Sequence, residues 1–212
     1  MRILASFSGG KDSILSIDRA MQEHEVVGLI TTFRGEESWF HEIGGDLMDR
    51  ISEALNIPIY KIQTGSGAKY TEDLVREISA IAKEIAAEGI LFGDIDLPAH
   101  REWCEGIAKE AGIQAIFPLW GGKRKDLVME FLDKGYRTIV KKVDKTKLGK
   151  EYLGKTLDRA MIEELESRGI DPSGENGEYH TVVIGGPIFS HPPVYELGEI
   201  YEDDWSYILR MR

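Results

Sequence analysis

Continuous apolar runs alternate with helical patterns through the first half of the chain, and this alternation restricts the fold more than any other feature. The runs are apolar throughout, as in strands that helices cover on both faces; they occupy residues 3–7, 26–33, 57–62, 90–92 and 115–117. Between them, apolar residues recur at helical spacing, as in the stripe from Tyr70 to Ile85. The sequence therefore predicts a doubly wound α/β fold with a parallel sheet, which binds ligands beyond the carboxyl ends of its strands.

A glycine-rich turn lies at the first strand–helix junction. Residues 8–13 read Ser-Gly-Gly-Lys-Asp-Ser, after an apolar run and before a helical pattern. Free N–H groups and the dipole at a helix start favour an anion there, and glycine lets the backbone approach an oxygen atom closely. The lysine adds a positive charge and the serines add hydroxyl donors. The turn therefore predicts a phosphate site, although its spacing differs from that of the common P-loop.

The composition restricts the partners and the compartment. The 212 residues carry 26 Lys and Arg against 37 Asp and Glu, a net charge of −11, which argues against a direct nucleic-acid partner. No stretch approaches the roughly 20 apolar residues of a membrane helix, and the N-terminus lacks a signal-peptide pattern. The single cysteine, Cys104, allows no internal disulfide and reads as a small buried residue. We expect a cytoplasmic protein without membrane contact, and a homo-oligomer is compatible with these numbers.

The pattern changes after Trp120-Gly121-Gly122. Helix and strand signals become mixed, and residues 195–211 show the period-two alternation of strands exposed on one face. We predict a domain boundary here, with a nucleotide-binding domain at 1–122 and a smaller α+β substrate domain at 123–212.

A second unusual segment covers residues 171–181. Its Asn-Gly pair at 176–177 most simply predicts a tight hairpin turn. In such a hairpin Glu175 and Glu178 face each other, and opposed like charges destabilise a strand pair by up to ~1 kcal/mol. Period-two alternation also places Glu178 and His180 on one strand face. We therefore expect two carboxylates and an imidazole gathered around a cation, which would be a metal, ammonium or a lysine.

These two motifs carry a family resemblance. The hexapeptide at 8–13 resembles the PP-loop of the ATP pyrophosphatases, and its combination with Gly-Glu-Asn-Gly-Glu-Tyr-His-Thr at 174–181 resembles the diphthine–ammonia ligase family. Further pieces of the resemblance are Trp39-Phe40-His41, Pro118-Leu119-Trp120-Gly121, and Leu153-Gly154 followed by Leu157-Asp158. Two residues depart from the pattern: Ser173, where many relatives have cysteine, and Asp94, where alanine is common.

The resemblance implies a fold and a reaction. The fold is a PP-loop (HUP-like) nucleotide domain joined to a family-specific C-terminal part. The reaction amidates diphthine, a modified histidine of translation elongation factor 2, with ammonium, and converts ATP to AMP and pyrophosphate. It implies ATP and Mg²⁺ as cofactors, and the diphthine-bearing factor and ammonium as partners.

The resemblance also implies site residues. ATP would bind to Ser8, Gly9, Gly10, Lys11, Asp12, Ser13, Thr31, Phe33 and Gly93. Within that set, Lys11 would neutralise pyrophosphate and Asp12 would hold Mg²⁺. The catalytic set comprises Lys11, Glu175, Glu178 and His180, in which the last three would attract ammonium and remove a proton. Substrate binding is assigned to His41, Asn176, Gly177 and Tyr179.

Several alternatives stay open at this level. Phe33 fits core packing as well as an adenine contact, and Arg101 fits a surface ion pair better than a phosphate contact. The lysines at 141, 142, 145, 147 and 150 are expected to form a solvated face, with docking of the protein substrate or its RNA as the alternative. A PP-loop enzyme that modifies tRNA and a non-catalytic ATP-binding module remain alternative functions.

Overall fold

The computed structural model describes residues 1–38 and 41–212. Two compact units are present. The first comprises Met1–Ser8, Asp12–Glu42 and Asn56–Gly121, and the second comprises Gly9–Lys11, Ile43–Leu55 and Gly122–Arg212. The domain division at residue 122 stays a prediction.

Strands and helices follow one another in the order that the sequence predicts. They are β1 (Arg2–Ser6), α1 (Lys11–Ala20), β2 (Glu25–Arg34), β3 (Glu37–Ser38), α2 (Gly45–Leu55), β4 (Ile59–Gln63), α3 (Ala68–Glu84), β5 (Gly89–Leu91), α4 (Pro98–Ala111), β6 (Gln114–Ile116), α5 (Arg124–Asp133), β7 (Arg137–Asp144), a 3-10 turn (Lys150–Tyr152), α6 (Arg159–Ser167), β8 (Tyr179–Gly185), β9 (Leu197–Glu202) and β10 (Ser206–Met211). The short β3 and the 3-10 turn have no counterpart among the predicted elements.

The first unit contains a mainly parallel sheet. β1 pairs in parallel with β2 and β5, β2 pairs in parallel with β4, and β5 pairs in parallel with β6. Among the described strands of this sheet, β3 alone is antiparallel, and it pairs with the end of β2. The chain therefore moves outward from β1 through β2 to β4 and then returns beside β1 at β5, which confirms the predicted fold class. In such sheets the reversal point is where the ligand crevice opens.

Continuous apolar runs become buried strands, as their composition demands. Ile3, Leu4 and Ala5 of β1 are fully buried, because a central parallel strand is covered on both faces. The helical stripe of α3 packs Leu74 and Ile78 into the same apolar core. Cys104 joins this core, as predicted.

The second unit contains an antiparallel sheet with the strand order β8-β7-β10-β9. Helix α6 begins with a side-chain cap, because the Asp158 carboxylate accepts a hydrogen bond from the Met161 amide at 2.8 Å. Met161 and Leu165 on the apolar face of α6 belong to the same buried cluster as Val143 of β7. The mixed α+β character predicted for the C-terminal part is thereby confirmed.

The predicted tight turn at Asn176–Gly177 is present and leads into β8, but it does not join two strands as a hairpin would. No strand precedes it: α6 ends at Ser167, and β8 begins only at Tyr179. The turn is instead closed by a hydrogen bond from the Gly177 amide to the Gly174 carbonyl at 3.0 Å. Glu175 and Glu178 are therefore neighbours in one loop rather than partners across two strands.

The predicted solvated face is wrong for Lys141, whose exposed fraction is 0%. The pairing of β7 with β8 shifts register between Val140 and Lys142. A bulge of this kind adds one residue to a strand and redirects side chains, which changes the alternation that the sequence predicts.

Among the helices that the structure describes, none combines the length and the apolar character needed to cross a membrane.

Candidate functional site

The glycine-rich turn is hydrogen-bonded to strand β8. The Gly9 carbonyl accepts a hydrogen bond from the Val183 amide at 2.9 Å. The Lys11 amide donates to Thr181 Oγ1 at 3.1 Å, across a sequence separation of 170 residues. Within the second unit, residues 9–11 of the first motif therefore contact the strand that carries the end of the second motif.

Gly9 is required by its conformation and its surroundings. Its φ is +78°, and a Cβ atom there would lie 3.0 Å from Cδ1 of Ile43. Positive φ is unfavourable for other residues, and this neighbour leaves little room for a methyl group. The tight turn is thus encoded by the glycine.

Lys11 is buried, with an exposed fraction of 4%. Its Nζ donates to the Ser173 carbonyl and lies 5.4 Å from the centroid of the Tyr179 ring. The ammonium group is therefore held by the 171–181 segment. Because the Lys11 amide already donates to Thr181, one of the backbone N–H groups assigned to phosphate is committed within the chain.

Asp171 organises the loop that holds Lys11, and sequence reasoning missed this role. Its Oδ1 accepts hydrogen bonds from the Ser173 amide and hydroxyl, both at 2.9 Å. Its Oδ2 accepts from the Glu175 amide at 3.3 Å and pairs with the Arg124 guanidinium. The signal was present in Asp-Pro-Ser, because an aspartate often bonds the backbone two residues further on.

Glu178 is buried beside a cation. Its exposed fraction is 3%, and its Oε1 accepts a hydrogen bond from Lys147 Nζ at 3.0 Å. Its Oε2 accepts from the Asn176 amide at 3.1 Å. A lysine is one of the three cations expected at this carboxylate, and Glu175 lies half-buried in the same loop.

His180 lies among lysines. It is the partner of Lys142 across the β7–β8 pair. Burial first, and then the positive charges of Lys142, Lys11 and Lys141, lower the pKa of His180 to about 4. Its imidazole is consequently neutral at pH 7 and a weak base.

The first turn of α1 lies against the end of β5 within the first unit. A Cβ atom on Gly93 would lie 3.3 Å from the Asp12 carbonyl carbon and 3.3 Å from the Ser13 amide nitrogen. Ser13 Oγ is 3.3 Å from Ser8 Oγ. Gly93 therefore permits a close approach of two backbone segments at the sheet's reversal point.

Gly93→Ala is expected to destabilise the protein by about 1–3 kcal/mol, because the added methyl group must displace the first turn of α1. Urea unfolding measures this change. Gly106→Ala in α4 is the matched control, since nothing lies within 4 Å of the position that a Cβ atom would occupy there and alanine favours a helix by ~0.5–1 kcal/mol. Equal stability of the Gly93 variant and the wild type would contradict the expectation.

Other residues considered for the ATP site are packed in the core or form an ion pair within the chain. Phe33 is 2% exposed and belongs to the core, and Thr31 is buried on the same strand. The Arg101 guanidinium pairs with Glu105 at 2.7 Å and lies 4.7 Å from the Trp120 ring centroid. The predicted surface ion pair of Arg101 is thus confirmed.

For the other residues predicted to bind substrate, the structure gives mainly their exposure to solvent. His41 is half-buried, whereas Asn176 and Gly177 are exposed. Trp39 and Phe40, which carry part of the resemblance, lie outside the described residues. Within the described ranges, no group of three or more His, Cys, Asp or Glu side chains could hold a metal ion.

A mainly parallel sheet covered by helices, with a glycine-rich turn at its first strand–helix junction, defines a doubly wound α/β protein. Comparison with known families identifies it further. The diphthamide synthase N-terminal domain matches residues 1–115, and the diphthamide synthase C-terminal domain matches residues 123–210. The chain belongs to the diphthamide synthase family.

Curated relatives carry a consistent name. The diphthine–ammonia ligase of Homo sapiens is 26% identical over 226 residues, which cover 94% of this chain and 85% of the human protein. That of Mus musculus is 27% identical over 226 residues, with 94% and 84% coverage. That of Saccharomyces cerevisiae is 22% identical, and the match covers 90% of this chain but 34% of the yeast protein.

Proposed function

We propose that this chain is a diphthine–ammonia ligase that acts on translation elongation factor 2. It activates the diphthine carboxylate with ATP and replaces the adenylate with ammonia, which gives diphthamide, AMP and pyrophosphate. The observation that carries the proposal is the connection of the glycine-rich turn to strand β8 through Lys11 and Thr181. A translation factor as substrate implies a cytoplasmic location.

The activation step needs a phosphate site, because a carboxylate is a poor electrophile until it carries a good leaving group. The proposal places the phosphates at Ser8–Ser13, with Lys11 opposite the departing pyrophosphate. Mg²⁺ prefers one or two carboxylates together with phosphate oxygens, so Asp12 in the first turn of α1 suits it. The metal would supply charge neutralisation at those oxygens.

The amidation step needs ammonium and the loss of a proton. Buried Glu178, which already holds the Lys147 ammonium at 3.0 Å, has the charge and the setting to hold an ammonium ion. Glu175, in the same loop, is the second carboxylate proposed to attract it. His180 is neutral at pH 7 because its pKa is lowered to about 4, so its imidazole can accept a hydrogen bond from the nucleophile but is a weak proton acceptor.

Glu178→Gln is expected to raise the KM for ammonium by about 10- to 100-fold, because a hydrogen bond to a charged group contributes about 1.5–3 kcal/mol. The measurement is AMP formation against ammonium concentration at constant pH. Glu202→Gln, which loses an exposed pair with Lys150, serves as the control. Unchanged turnover of the Glu178 variant at subsaturating ammonium would remove Glu178 from the ammonium site.

The reaction itself is tested with ATP, ammonium and diphthine-bearing elongation factor. Formation of AMP together with a mass change on the factor, both dependent on ammonium, supports the proposal. Release of ADP and orthophosphate would overturn it. Pyrophosphate release stimulated by tRNA would favour a tRNA-modifying enzyme, and ATP binding without turnover would favour a non-catalytic module.

A further inference from the structure

We propose that the edge of the antiparallel sheet at β9 is a docking surface for the protein substrate, which contributes an extended segment of lysine or arginine and apolar residues. The inference rests on the proposed function, because it identifies where the diphthine-bearing factor binds outside the reacting groups.

β9 forms one edge of its sheet. The strand order is β8-β7-β10-β9, so among the described strands β9 pairs with β10 alone. Every residue of β9 is exposed except Tyr201, which is half-buried. An edge strand has a row of backbone N–H and C=O groups directed away from its sheet, and these groups can pair with an extended segment of another chain. β9 is therefore open to a further strand.

Large apolar side chains are concentrated around this edge. Trp205 is 76% exposed and Val194 is 72% exposed, and Leu197 and Ile200 of β9 are exposed as well. A single exposed apolar residue is ordinary, whereas several within one short segment form the kind of patch that marks an interaction site.

A bulge places two of these side chains on the same face of the sheet. Leu197 pairs with Met211 and Ile200 pairs with Leu209, with a register shift between the two pairs. Residues directly opposite each other share a face, and Leu209 and Met211 share one because they are two residues apart. Without the extra residue in β9, Leu197 and Ile200 would lie on opposite faces.

The turn between β9 and β10 presents Trp205 from a fixed backbone. The Trp205 amide donates to Asp203 Oδ1 at 2.8 Å, and its carbonyl accepts a hydrogen bond from the Lys145 amide at 3.0 Å. The exposure of the indole is therefore a property of the folded turn. Tryptophan is among the residue types most enriched at the energetic centres of protein interfaces.

The charge around this edge is acidic. Residues 194–205 contain five carboxylates and no lysine or arginine. Two of these carboxylates, Glu202 and Asp203, pair with lysines of the same unit. The other two that flank the apolar residues, Glu199 and Asp204, have no ion pair within the part of the chain that the structure describes. We define the β9 surface as these two carboxylates together with the four exposed apolar residues Val194, Leu197, Ile200 and Trp205.

Charge determines which partner fits the β9 surface. A second copy of the chain would bring the same acidic segment against itself, and like charges across a strand pair are destabilising. A segment that combines lysine or arginine with apolar residues complements both the carboxylates and the apolar side chains. Proteins that act on RNA carry clustered cationic residues, because these neutralise phosphates. A translation factor works on the RNA of the ribosome and therefore has the required chemistry.

The test is hydrogen exchange of the full chain with and without diphthine-bearing elongation factor, in the absence of ATP and ammonium. The outward-directed amides of β9 are expected to exchange at least about tenfold more slowly in the complex, because the added strand gives them hydrogen-bond partners. Unchanged exchange throughout β9 would overturn the inference, and so would a factor that does not bind to the chain.

Two variants probe the charge and the apolar anchor separately. Glu199→Lys is expected to weaken binding of the factor at least about tenfold, because it places a cation against a cationic segment. Trp205→Ser should weaken binding by a similar factor, since it removes a large apolar contact. Isothermal titration calorimetry measures both affinities. Glu110→Lys is the matched control, because it makes the same change at an exposed residue of α4 outside the β9 surface, and it should bind like the wild type.

Further outcomes decide the inference. Wild-type affinity in either variant would overturn it, even if the factor is amidated. If Glu199→Lys does not fold, Asp204→Lys takes its place with the same expectation. A dimer of the chain alone that Ile200→Lys dissociates would assign the edge to a second copy and would likewise overturn the inference. Binding at β9 without ammonium-dependent AMP formation would instead refute the proposed function alone.

Discussion

Lys11→Met is expected to lower the rate of AMP formation by at least about 100-fold, the scale seen when a preorganised group that stabilises developing charge is removed. Lys11 is buried and its ammonium is positioned by the Ser173 carbonyl and the Tyr179 ring. Methionine keeps most of the volume and removes the charge. The measurement is steady-state release of AMP and pyrophosphate with the modified factor as substrate.

The control for this variant is Lys109→Met, an exposed lysine in the last turn of α4. It should retain wild-type turnover. Circular dichroism and unfolding curves test whether Lys11→Met is folded, and a folded variant with low turnover has lost chemistry rather than structure. Turnover within a few-fold of the wild type would place the departing pyrophosphate away from Lys11.

Acidification is expected to destabilise the folded protein through His180. Its pKa is about 4 in the folded chain against an ordinary value of 6.5. Between these values the unfolded chain binds a proton that the folded chain does not, so the free energy of unfolding falls as the pH drops from 6.5 to 4. The loss attributable to this one residue is about 3 kcal/mol.

Urea unfolding of the wild type and His180→Asn across this pH range measures the effect. The variant should lose less stability on acidification, because it has no imidazole to protonate in the unfolded state. His191→Asn, at an exposed histidine, keeps His180 and should follow the wild type. Parallel curves for the wild type and His180→Asn would contradict the expected shift.

The sheet of the first unit was predictable because its signal is local. An uninterrupted apolar run such as residues 3–5 has no polar side chains to place on a solvent-exposed face. It therefore favours a strand that is covered by helices on both faces. The stripe of α3 is equally decisive, since only helical spacing brings Leu74 and Ile78 to one side.

The failed predictions have a different physical origin. Asn-Gly favours a hairpin only if strands flank it, and here the end of α6 and the hydrogen bonds to Asp171 determine the loop. Lys141 lies at a bulge in the pairing of β7 with β8. Because the bulge depends on how the two strands pair, the composition of either strand alone does not predict it. Side-chain partners such as Lys147 for Glu178 likewise require tertiary structure.

The hydrogen bonds that join the glycine-rich turn to Thr181 and Val183 of β8 have a practical consequence for work with fragments of the protein. A cut near the middle of the chain would separate the glycine-rich turn from both of these hydrogen-bond partners. A fragment that ends before β8 is therefore expected to lose the hydrogen bonds that hold this turn, so the turn should be studied in the full chain.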